Sequence, residues 1–322
     1  MQQDKREWLF HLQDSIPKEA YGHSLSMYCM ALEGWRRGLQ LSFINENKPK
    51  SNTNFILSNE ERTHQFQVTR GDKVPLKAIR ICNNKHKTKQ YLQKSGVPTP
   101  QGKTFVKNEI NEVLSYANEI EFPLVVKPLD GYGGNGVIAN INDELELKQA
   151  FVYVTNELGH EKVLVEKHFE GIDCRVYVID GKVVGAVRRV IANVVGDGSS
   201  TISKLIKLKD QERFKNPGLN GRKIKIDNET KLILEQQGYT LKSIPKKGEK
   251  VLLKSKNNIS AGGDSIEITD ELSDEIKQIA INAARAIPGL IQCGVDLMVN
   301  LESNTAEVIE LNSQAHITAL LF

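Results

Sequence analysis

The sequence has few cysteines and no long apolar run, and both absences exclude classes of protein. The four cysteines among 322 residues are widely scattered, without a C-x-x-C pair or the Cys/His spacing of a zinc site. We interpret them as reduced thiols, which favours a cytoplasmic protein. No apolar run approaches the roughly 20 residues needed to cross a bilayer. The first ten residues, MQQDKREWLF, also lack the apolar core of a secretory signal. We therefore expect no membrane association.

Positive charge is concentrated in one part of the chain. The formal net charge is +3, but residues 204–256 hold fifteen Lys or Arg against six Asp or Glu, so the remainder carries −6. Such a segment could bind nucleic acid or a small polyanion such as a nucleotide, or it could be a solvated surface. It has only two aromatic residues to stack on bases, Phe214 and Tyr239. We therefore do not expect nucleic acid as a partner.

Length and composition are those of a globular protein with two or three compact units. Near the N-terminus apolar side chains recur at helical spacing, and we predict that this stripe faces a core. The stripe consists of Tyr21, Leu25, Tyr28, Leu32, Trp35 and Leu39. The segment NFILS at 54–58 predicts a strand. We expect a small N-terminal α/β domain over residues 1–84 and a larger domain over residues 85–322.

Helices and strands alternate through the larger domain, without an internal repeat. Asp180-Gly181 between two apolar runs predicts a tight antiparallel hairpin. Helices are predicted at about 85–95, 108–120, 144–158 and 269–286, and strands at 124–127, 136–141, 163–167, 174–179, 182–187, 294–299 and 306–312. This mixture predicts an α/β (α+β) fold.

A glycine-rich loop follows the predicted strand at 124–127. In the stretch VVKPLDGYGGNGV (125–137), Gly131, Gly133 and Gly136 match the pattern G-x-G-x-x-G of a dinucleotide-binding turn. Such a turn needs a helix to begin at the third glycine. Here Gly136 is followed by VIANI, which predicts a strand. The match is therefore coincidental, and we predict that the glycines form the tip of a hairpin.

Lys127 precedes these glycines, whereas the lysine of a Walker A loop follows them, so that loop is excluded as well. A flexible flap remains, whose backbone N–H groups could close over phosphates while Lys127 reaches them from the adjoining strand. A surface lysine and an ordinary turn are the alternatives. Four glycines within six residues, however, cost chain entropy that a simple connection does not require.

Hard oxygen ligands stand on the last two predicted strands. Asp296 lies on one, and Glu310 and Asn312 lie two residues apart on the other, where they share a face. Two carboxylates and an amide oxygen suit Mg²⁺ that is shared with nucleotide phosphates. Carboxylates that merely end a strand are the alternative. It is disfavoured because VIELN is otherwise apolar and an unpaired buried carboxylate is costly.

With this lysine, glycine loop and oxygen-ligand set in this order, the sequence resembles the ATP-grasp superfamily from about Asn84 to Asn312. It is most similar to the ATP-grasp domains of cyanophycin synthetases and of bifunctional glutamate–cysteine ligase/glutathione synthetases. The most specific stretches are RRVIANVVGDGSSTISKLI (188–206) and NISAGGDSIEITDE (258–271). The resemblance implies an ATP-grasp fold with a small pre-ATP-grasp domain at the N-terminus. Within the ATP-grasp domain it implies a glycine-flap subdomain at about 120–168 and a metal-binding subdomain at about 169–322.

The resemblance also implies which residues hold the phosphates of ATP. Lys85 matches the first nucleotide-binding lysine, with Lys87 and Lys89 close to it in sequence, and Lys127 matches the second. Arg188 matches a cation near the γ-phosphate and the acyl intermediate, so Lys127 and Arg188 would be the catalytic cations. The flap residues that would cover the phosphates are Gly133, Gly134 and Gly136.

The remaining implied roles concern the nucleoside and the metal. Glu166 and Lys167 would meet the adenine edge, Phe169 would pack on the base, and Asp173 would accept the ribose hydroxyls. The three oxygen ligands would hold two Mg²⁺ ions, for which Mn²⁺ could substitute.

The implied reaction is ATP-dependent carboxylate–amine ligation, which forms an amide or peptide bond and releases ADP and phosphate. A substrate carboxylate attacks the γ-phosphate while Mg²⁺, lysine and arginine neutralise the developing charge. The acyl phosphate then has a good leaving group for an attacking amine. Two alternatives stay open. One is a carboxylate-activating enzyme with a non-amine acceptor, and the other is a non-catalytic nucleotide-binding module.

The substrates are expected by analogy alone to be amino acids or short peptides. Arg62, His64 and Arg70 could bind a substrate carboxylate, although exposed polar side chains are the simpler interpretation. The chain leaves no room for the further domains of the larger proteins that it resembles. We therefore expect a stand-alone enzyme, which could be a homodimer because many ATP-grasp proteins are dimers.

Overall fold

The computed structural model describes residues 20–21, 25–44, 54–130, 136–255, 257 and 259–321. Their packing divides the chain into two compact units. The first comprises the described residues of 1–73, 187–267 and 314–322, and the second those of 74–186 and 268–313. The sequence-based domains and subdomains rest on sequence patterns and on a resemblance rather than on packing, and they stay predictions.

The described helices and strands are as follows, in chain order. The helices are α1 (Leu25–Arg36), α2 (Leu76–Cys82), α3 (Lys85–Lys94), α4 (Ile110–Ile120), α5 (Glu144–Val152), α6 (Ile202–Lys215), α7 (Asn228–Gln236), α8 (Asp274–Ala286) and α9 (Thr318–Leu321). The strands are β1 (Gln40–Phe43), β2 (Asn54–Ser58), β3 (Thr63–Gln67), β4 (Arg70–Gly71), β5 (Gly102–Val106), β6 (Leu124–Pro128), β7 (Ile138–Ile141), β8 (Lys162–Lys167), β9 (Ile172–Ile179), β10 (Lys182–Val190), β11 (Asn193–Val195), β12 (Lys250–Leu252), β13 (Asp264–Glu267), β14 (Gln292–Asn300) and β15 (Thr305–Asn312). None of the described helices is long and apolar enough to cross a membrane.

Two sequence-based helices have different bounds in the structure. The helix expected at 269–286 begins only at Asp274, because the Ser273 hydroxyl accepts a hydrogen bond from the Ile276 N–H at 3.2 Å and caps it there. The helix expected to reach residue 158 ends at Val152 and continues as a π-helical turn, Tyr153–Glu157. Local hydrogen bonding, and not apolar spacing alone, sets these bounds.

In the first unit, strands β1 to β4 form an antiparallel sheet in chain order, and α1 packs on it. The predicted strand at 54–58 is confirmed as β2. The predicted apolar stripe of α1 was wrong in part: Leu25 is fully buried, but Trp35 is 60% exposed. A Cβ at Gly34 would lie 2.5 Å from the Leu57 side chain. The helix therefore approaches the sheet closely at Gly34 and not along the Trp35 side.

The basic segment also belongs to the first unit. Helices α6 and α7 and the antiparallel pair β11–β12 enclose a separate apolar core that includes Ile202, Ile206, Leu234 and Leu253. Strand β10 runs from the second unit into the first, where its last four residues pair with β13. The segment is thus a folded structure with its own core.

The second unit contains two sheets. Strands β5, β8, β6 and β7 form an antiparallel sheet in that order, and α4 and α5 cover one face of it. The start of β10 and strands β9, β14 and β15 form the other sheet, whose apolar face packs on α8. Asp180 and Gly181 both have left-handed backbone angles, φ 48° and 69°, as a tight hairpin between β9 and β10 requires. That predicted hairpin is confirmed.

Candidate active site

Three charged side chains form a row across the sheet of β9, β14 and β15. Asp296 on β14 lies directly opposite Arg175 on β9 and directly opposite Glu310 on β15. Residues opposite each other on antiparallel strands project from the same face, so the three side chains share one face. Asn312 lies two residues beyond Glu310 and shares that face as well. The sequence-predicted oxygen ligands are therefore brought together.

Arg175 fixes the position of Asp296. Its Nε and Nη2 donate to the two carboxylate oxygens at 2.7 Å and 2.8 Å, and the Asn312 Nδ2 donates to Oδ2 at 3.2 Å. Burial disfavours the charge of the guanidinium, but the Asp296 carboxylate holds the pKa of Arg175 above its usual value. Asp296 is 6% exposed, so an ionised carboxylate here requires this partner.

Glu310, unlike Asp296, lies in an environment that disfavours its charged form. Burial and the Asp296 carboxylate raise its pKa, and Lys85, Arg175 and Lys127 offset this only in part. An additional cation would counteract that shift, because it would stabilise the charged form of the carboxylate. Two carboxylates and an amide oxygen are ligands that Mg²⁺ accepts, so the residues present fit a Mg²⁺ ion. In the described part of the chain no three His, Cys, Asp or Glu side chains could hold a metal by themselves. Phosphate oxygens would have to complete the coordination.

Glu307 joins this face although sequence periodicity would not place it there. The register shifts after Asp296, so that Met298 lies opposite Glu307 while Asp296 lies opposite Glu310. A β-bulge thereby puts residues three apart on the same face. Burial, with the Glu166 carboxylate nearby, raises the pKa of Glu307. Simple alternation along the strand gives no signal for this residue.

Glu166 lies on the other sheet of the second unit, where two lysines meet its carboxylate. Lys89 pairs with Oε1 and Lys127 pairs with Oε2. Glu166 is 4% exposed. Burial alone would raise the pKa of Glu166, but the two ammonium groups hold it below its usual value. Lys127 lies opposite Leu164 on β8, which places Lys127 and Glu166 on one face.

Helix α3 decides which of the neighbouring lysines reach this site. Asn84 caps the helix by accepting the Lys87 N–H at 2.9 Å. Lys85 and Lys89 are one turn apart and partly buried, whereas Lys87 is exposed. Burial lowers the pKa of Lys85, and Glu310, Lys127 and Glu166 all act on its charge. Lys85 therefore interacts electrostatically with two groups of residues. One is the face that carries Asp296, Glu310 and Asn312 (the oxygen-ligand face). The other is the Glu166 carboxylate with its partners Lys89 and Lys127 (the Glu166 cluster).

The other sequence-predicted residues have these places in the structure. Lys167 donates to the carbonyl oxygens of Glu121 and Phe122, at 3.1 Å and 2.9 Å. Phe169 is half-buried between β8 and β9, and Asp173 lies on β9 opposite Met298. Arg188 is an exposed residue of β10 in the first unit. Their ligand-binding roles stay predictions.

The glycine loop joins two paired strands, as predicted. Strands β6 and β7 are antiparallel, so no helix begins after the glycines and the dinucleotide-binding turn is excluded. Gly136 has a φ of 71°, which favours glycine, and a Cβ there would lie 3.0 Å from the Pro128 ring. Gly133 and Gly134 lie outside the described residues.

A cavity of about 240 Å³ borders the Glu166 cluster. It lies between α3 and the face of the sheet that carries Glu166 and Lys127. Its lining residues are His86, Lys89, Gln90, Gln93, Gly102, Lys103, Thr104, Leu129 and Leu164. Lys89 thus lines this cavity and also pairs with the Glu166 carboxylate.

Two family models match the chain, and each of the two matches includes one end of the basic segment. Residues 90–212 match the prokaryotic glutathione synthetase, ATP-grasp domain, and residues 244–320 match the RimK-like ATP-grasp domain. The chain carries an ATP-grasp domain. The first match contains Lys127 and Glu166, and the second contains Asp296 and Glu310. The two lysines of α3 at the site precede both matches.

Relatives of this ATP-grasp domain are longer proteins. The chain is 33% identical over 257 residues to a cyanophycin synthetase of Trichormus variabilis, an alignment that covers 77% of the chain and 28% of that protein. It is 37% identical over 244 residues to the glutathione biosynthesis bifunctional protein GshAB of Streptococcus agalactiae, covering 71% of the chain and 32% of the relative. The chain therefore spans about a third of the length of these curated relatives.

A solved structure shows the same fold. The bifunctional glutathione synthetase from Pasteurella multocida aligns with a TM-score of 0.68 and 27% identity, over 92% of this chain and 41% of that one. The predicted ATP-grasp fold, with its mixture of helices and sheets, is confirmed. So is the predicted similarity to cyanophycin synthetases and bifunctional glutathione synthetases.

Proposed function

We propose that this protein is an ATP-dependent carboxylate–amine ligase, which joins amino acids or short peptides by an amide bond and releases ADP and phosphate. The observation that carries the proposal is the position of Lys85. Its charge is acted on by Glu310, from the oxygen-ligand face, and by Lys127 and Glu166, from the other sheet. This supports the proposal that the lysines and the oxygen ligands act together on Mg²⁺-bound nucleotide phosphates, which need both cations and hard oxygen ligands.

Bound Mg-ATP would supply the phosphoryl group that activates a substrate carboxylate as an acyl phosphate. The chain's own residues would bind and orient the reactants. Lys85 and Lys127 would hold the phosphates, and Arg188 would stabilise charge on the transferred group. The oxygen ligands Asp296, Glu310 and Asn312 would hold the metal, with Arg175 keeping Asp296 ionised and correctly turned.

The nucleoside would be recognised by residues of β8, of the connection that follows it, and of β9. Glu166 and Lys167 would meet the edge of the base, Phe169 would pack on it, and Asp173 would accept the ribose hydroxyls. The flap around Gly136 would exclude water, which would otherwise hydrolyse the activated carboxylate. These roles come from the resemblance, and the ion pairs of Glu166 support them because they keep an acceptor ionised inside the site.

The test is ADP release with ATP and Mg²⁺ across a panel of amino acids and dipeptides, offered singly and in pairs. We expect turnover that requires both a carboxylate and an amine. Glu310→Gln should abolish it, since one metal ligand loses its charge. Glu302→Gln is the matched control, because Glu302 is an exposed carboxylate in the turn of the same hairpin.

Other outcomes would overturn the proposal in distinct ways. ADP release that needs a carboxylate but no amine would indicate a carboxylate kinase or a different acceptor. ATP binding without turnover on any pair would favour a nucleotide-binding module. Equal activity of Glu310→Gln and Glu302→Gln would show that the metal-site assignment is wrong.

A further inference from the structure

We propose that Lys89 is a positioning residue that holds the Glu166 carboxylate for the nucleotide base and so makes the site prefer a 6-amino purine. The inference rests on the proposed nucleotide site and assigns a residue that the resemblance leaves undecided.

The two oxygens of the Glu166 carboxylate have different lysine partners. Oε1 belongs to Lys89 and Oε2 to Lys127, and the lysine side chains are only 13% and 11% exposed. Each ammonium therefore has one oxygen as its main compensation for leaving water. The two lysines come from different elements, α3 and β6, so either one can move without the other.

When Lys127 binds a phosphate of the nucleotide, it no longer compensates the charge of Glu166. A buried carboxylate that loses its last cation becomes protonated, because burial disfavours the charged form. Lys89 prevents this, since it stays on Oε1 while Lys127 turns to the nucleotide. Glu166 then remains an ionised acceptor at the moment when the base must be recognised.

The other titratable groups near Glu166 are not placed to keep its carboxylate ionised in the way that Lys89 does. Lys85 on α3 is attracted to Glu166 but also faces Glu310, so it serves the phosphate and metal side. Glu307 on β15 is acidic and repels Glu166, and Tyr116 on α4 has its own pKa raised in part by the same carboxylate. Lys89 is attracted to both Glu166 and Glu307. It therefore reduces the repulsion between two carboxylates as well.

Gly102 provides independent support. It lies opposite Glu166 in the β5–β8 pair. A Cβ at Gly102 would lie 2.4 Å from the Glu166 Cγ and 3.0 Å from the Lys89 Nζ. The backbone at this position is not left-handed, so the glycine is required by the space that the pair occupies rather than by the turn of the chain.

The ionised state of Glu166 decides which base it can recognise. A carboxylate accepts a hydrogen bond from the 6-amino group of adenine, whereas the 6-oxo group of hypoxanthine would place an acceptor against an acceptor. A protonated Glu166 could instead donate to the 6-oxo group. Removing Lys89 should therefore weaken ATP binding more than ITP binding.

The test is titration of ATP and of ITP, each with Mg²⁺, into wild type, Lys89→Met and Lys89→Arg. We expect wild type to prefer ATP. Lys89→Met should lose roughly 10- to 100-fold in ATP affinity, the range for a charge-assisted hydrogen bond, with a much smaller change for ITP. Lys89→Arg should restore the preference. Lys87→Met is the matched control, because Lys87 is exposed on the same helix.

A pH series separates positioning from a structural effect. In Lys89→Met, ATP affinity should recover as pH rises, because Glu166 then ionises without its partner. In a Lys89→Met/Glu166→Gln double variant the recovery should be absent. Melting curves would show whether Lys89→Met folds, and Lys89→Gln would replace it if it does not.

The failures are distinguishable. If wild type binds neither nucleotide, the proposed function falls together with this inference. If wild type binds ATP and Lys89→Met keeps both its affinity and its ATP-to-ITP preference, only the inference is overturned. An equal loss for ATP and ITP at every pH would likewise overturn it, because that result indicates damage to the fold.

Discussion

Asp296 accepts two hydrogen bonds from a single guanidinium group, that of Arg175 on the neighbouring strand, at 2.7 Å and 2.8 Å. The two side chains are 8% and 22% exposed, so the pair is largely removed from water. A two-pronged pair of this kind fixes both the charge and the rotation of the carboxylate. The position of a candidate metal ligand is thus set by a residue that has no role in the motif itself.

Removing the Arg175 side chain should therefore lower the stability of the fold. We expect Arg175→Met to lower the free energy of unfolding by about 3–5 kcal/mol, because Asp296 would be left as a buried charge with fewer partners. Arg175→Lys should cost less. Urea unfolding of both variants measures this, with Arg285→Met, an exposed arginine on α8, as control. A loss below about 1 kcal/mol for Arg175→Met would contradict the account.

A second ion pair, in the first unit, predicts that the stability of the fold depends on pH. Lys254, whose side chain is 4% exposed, donates to both oxygens of Asp227 at 2.6 Å and 2.7 Å. Burial would raise the pKa of Asp227, but Lys254 and the Thr230 N–H lower it to about 2. The unfolded chain has a value of about 3.9. The stability from this pair is therefore fully present above about pH 4 and is lost as pH falls toward 2.

Asp227→Asn tests that window without removing the helix cap, because Asn is also a good N-cap. The variant should melt at a lower temperature than wild type at pH 6. Between pH 4 and pH 2 its melting temperature should fall less than that of wild type. Glu235→Gln, an exposed change on the same helix, should follow the wild-type curve. Parallel curves for Asp227→Asn and wild type would show that the pair contributes nothing.

Local signals in the sequence predicted a large part of this fold. The Asp180-Gly181 hairpin and the strand after Gly136 depend on backbone preferences that a few residues determine by themselves. The oxygen ligands Glu310 and Asn312 could be placed on one face for the same reason, since strand periodicity is two. These features needed no knowledge of distant partners.

Residues that depend on tertiary context were not predicted. Arg175 gives no sign in the sequence that it will lie opposite Asp296, because register between distant strands is set by the whole sheet. Glu307 joins the site only through the bulge on β15. Lys89 could not be separated from Lys87 without the orientation of α3. In each case the missing information is a long-range pairing.

The exposure of α1 gives a prediction that distinguishes the apolar stripe from the observed packing. Leu25→Ala should cost about 2–5 kcal/mol, because Leu25 is fully buried. Trp35→Ala should cost less than about 1 kcal/mol, because its side chain is 60% exposed. Denaturant unfolding of the two variants compares them directly. Equal costs would favour the stripe that the sequence suggested.

The thiols should be inert in the native protein. All four cysteines are buried. Burial raises the pKa of Cys29 to about 11 and that of Cys82 to about 12, so at neutral pH almost no reactive thiolate is present. Ellman's reagent should detect less than one thiol per native chain, and all four in denaturing guanidinium. Rapid labelling of the native protein would show that one of these sites opens readily.

Gly102 connects the packing of the second unit with the proposed nucleotide site. A Cβ there would lie 2.4 Å from the Glu166 Cγ and 2.8 Å from the Val165 carbonyl oxygen. Gly102→Ala must therefore displace the Glu166 side chain or separate β5 from β8. We expect a loss on the order of 1–3 kcal/mol in the free energy of unfolding, together with weaker ATP binding.

Gly159→Ala separates these two effects. Gly159 has a φ of 74°, and a Cβ at this position would have nothing within 4 Å of it, so the substitution carries backbone strain without crowding. It should cost roughly 1–2 kcal/mol and leave ATP affinity unchanged. Unfolding and ATP titration of both variants give the comparison. The contrary outcome is that Gly102→Ala is destabilised as much as Gly159→Ala but binds ATP like wild type. In that case ATP binding does not require the position that the Glu166 side chain has opposite Gly102. Base recognition must then depend on other groups of the site.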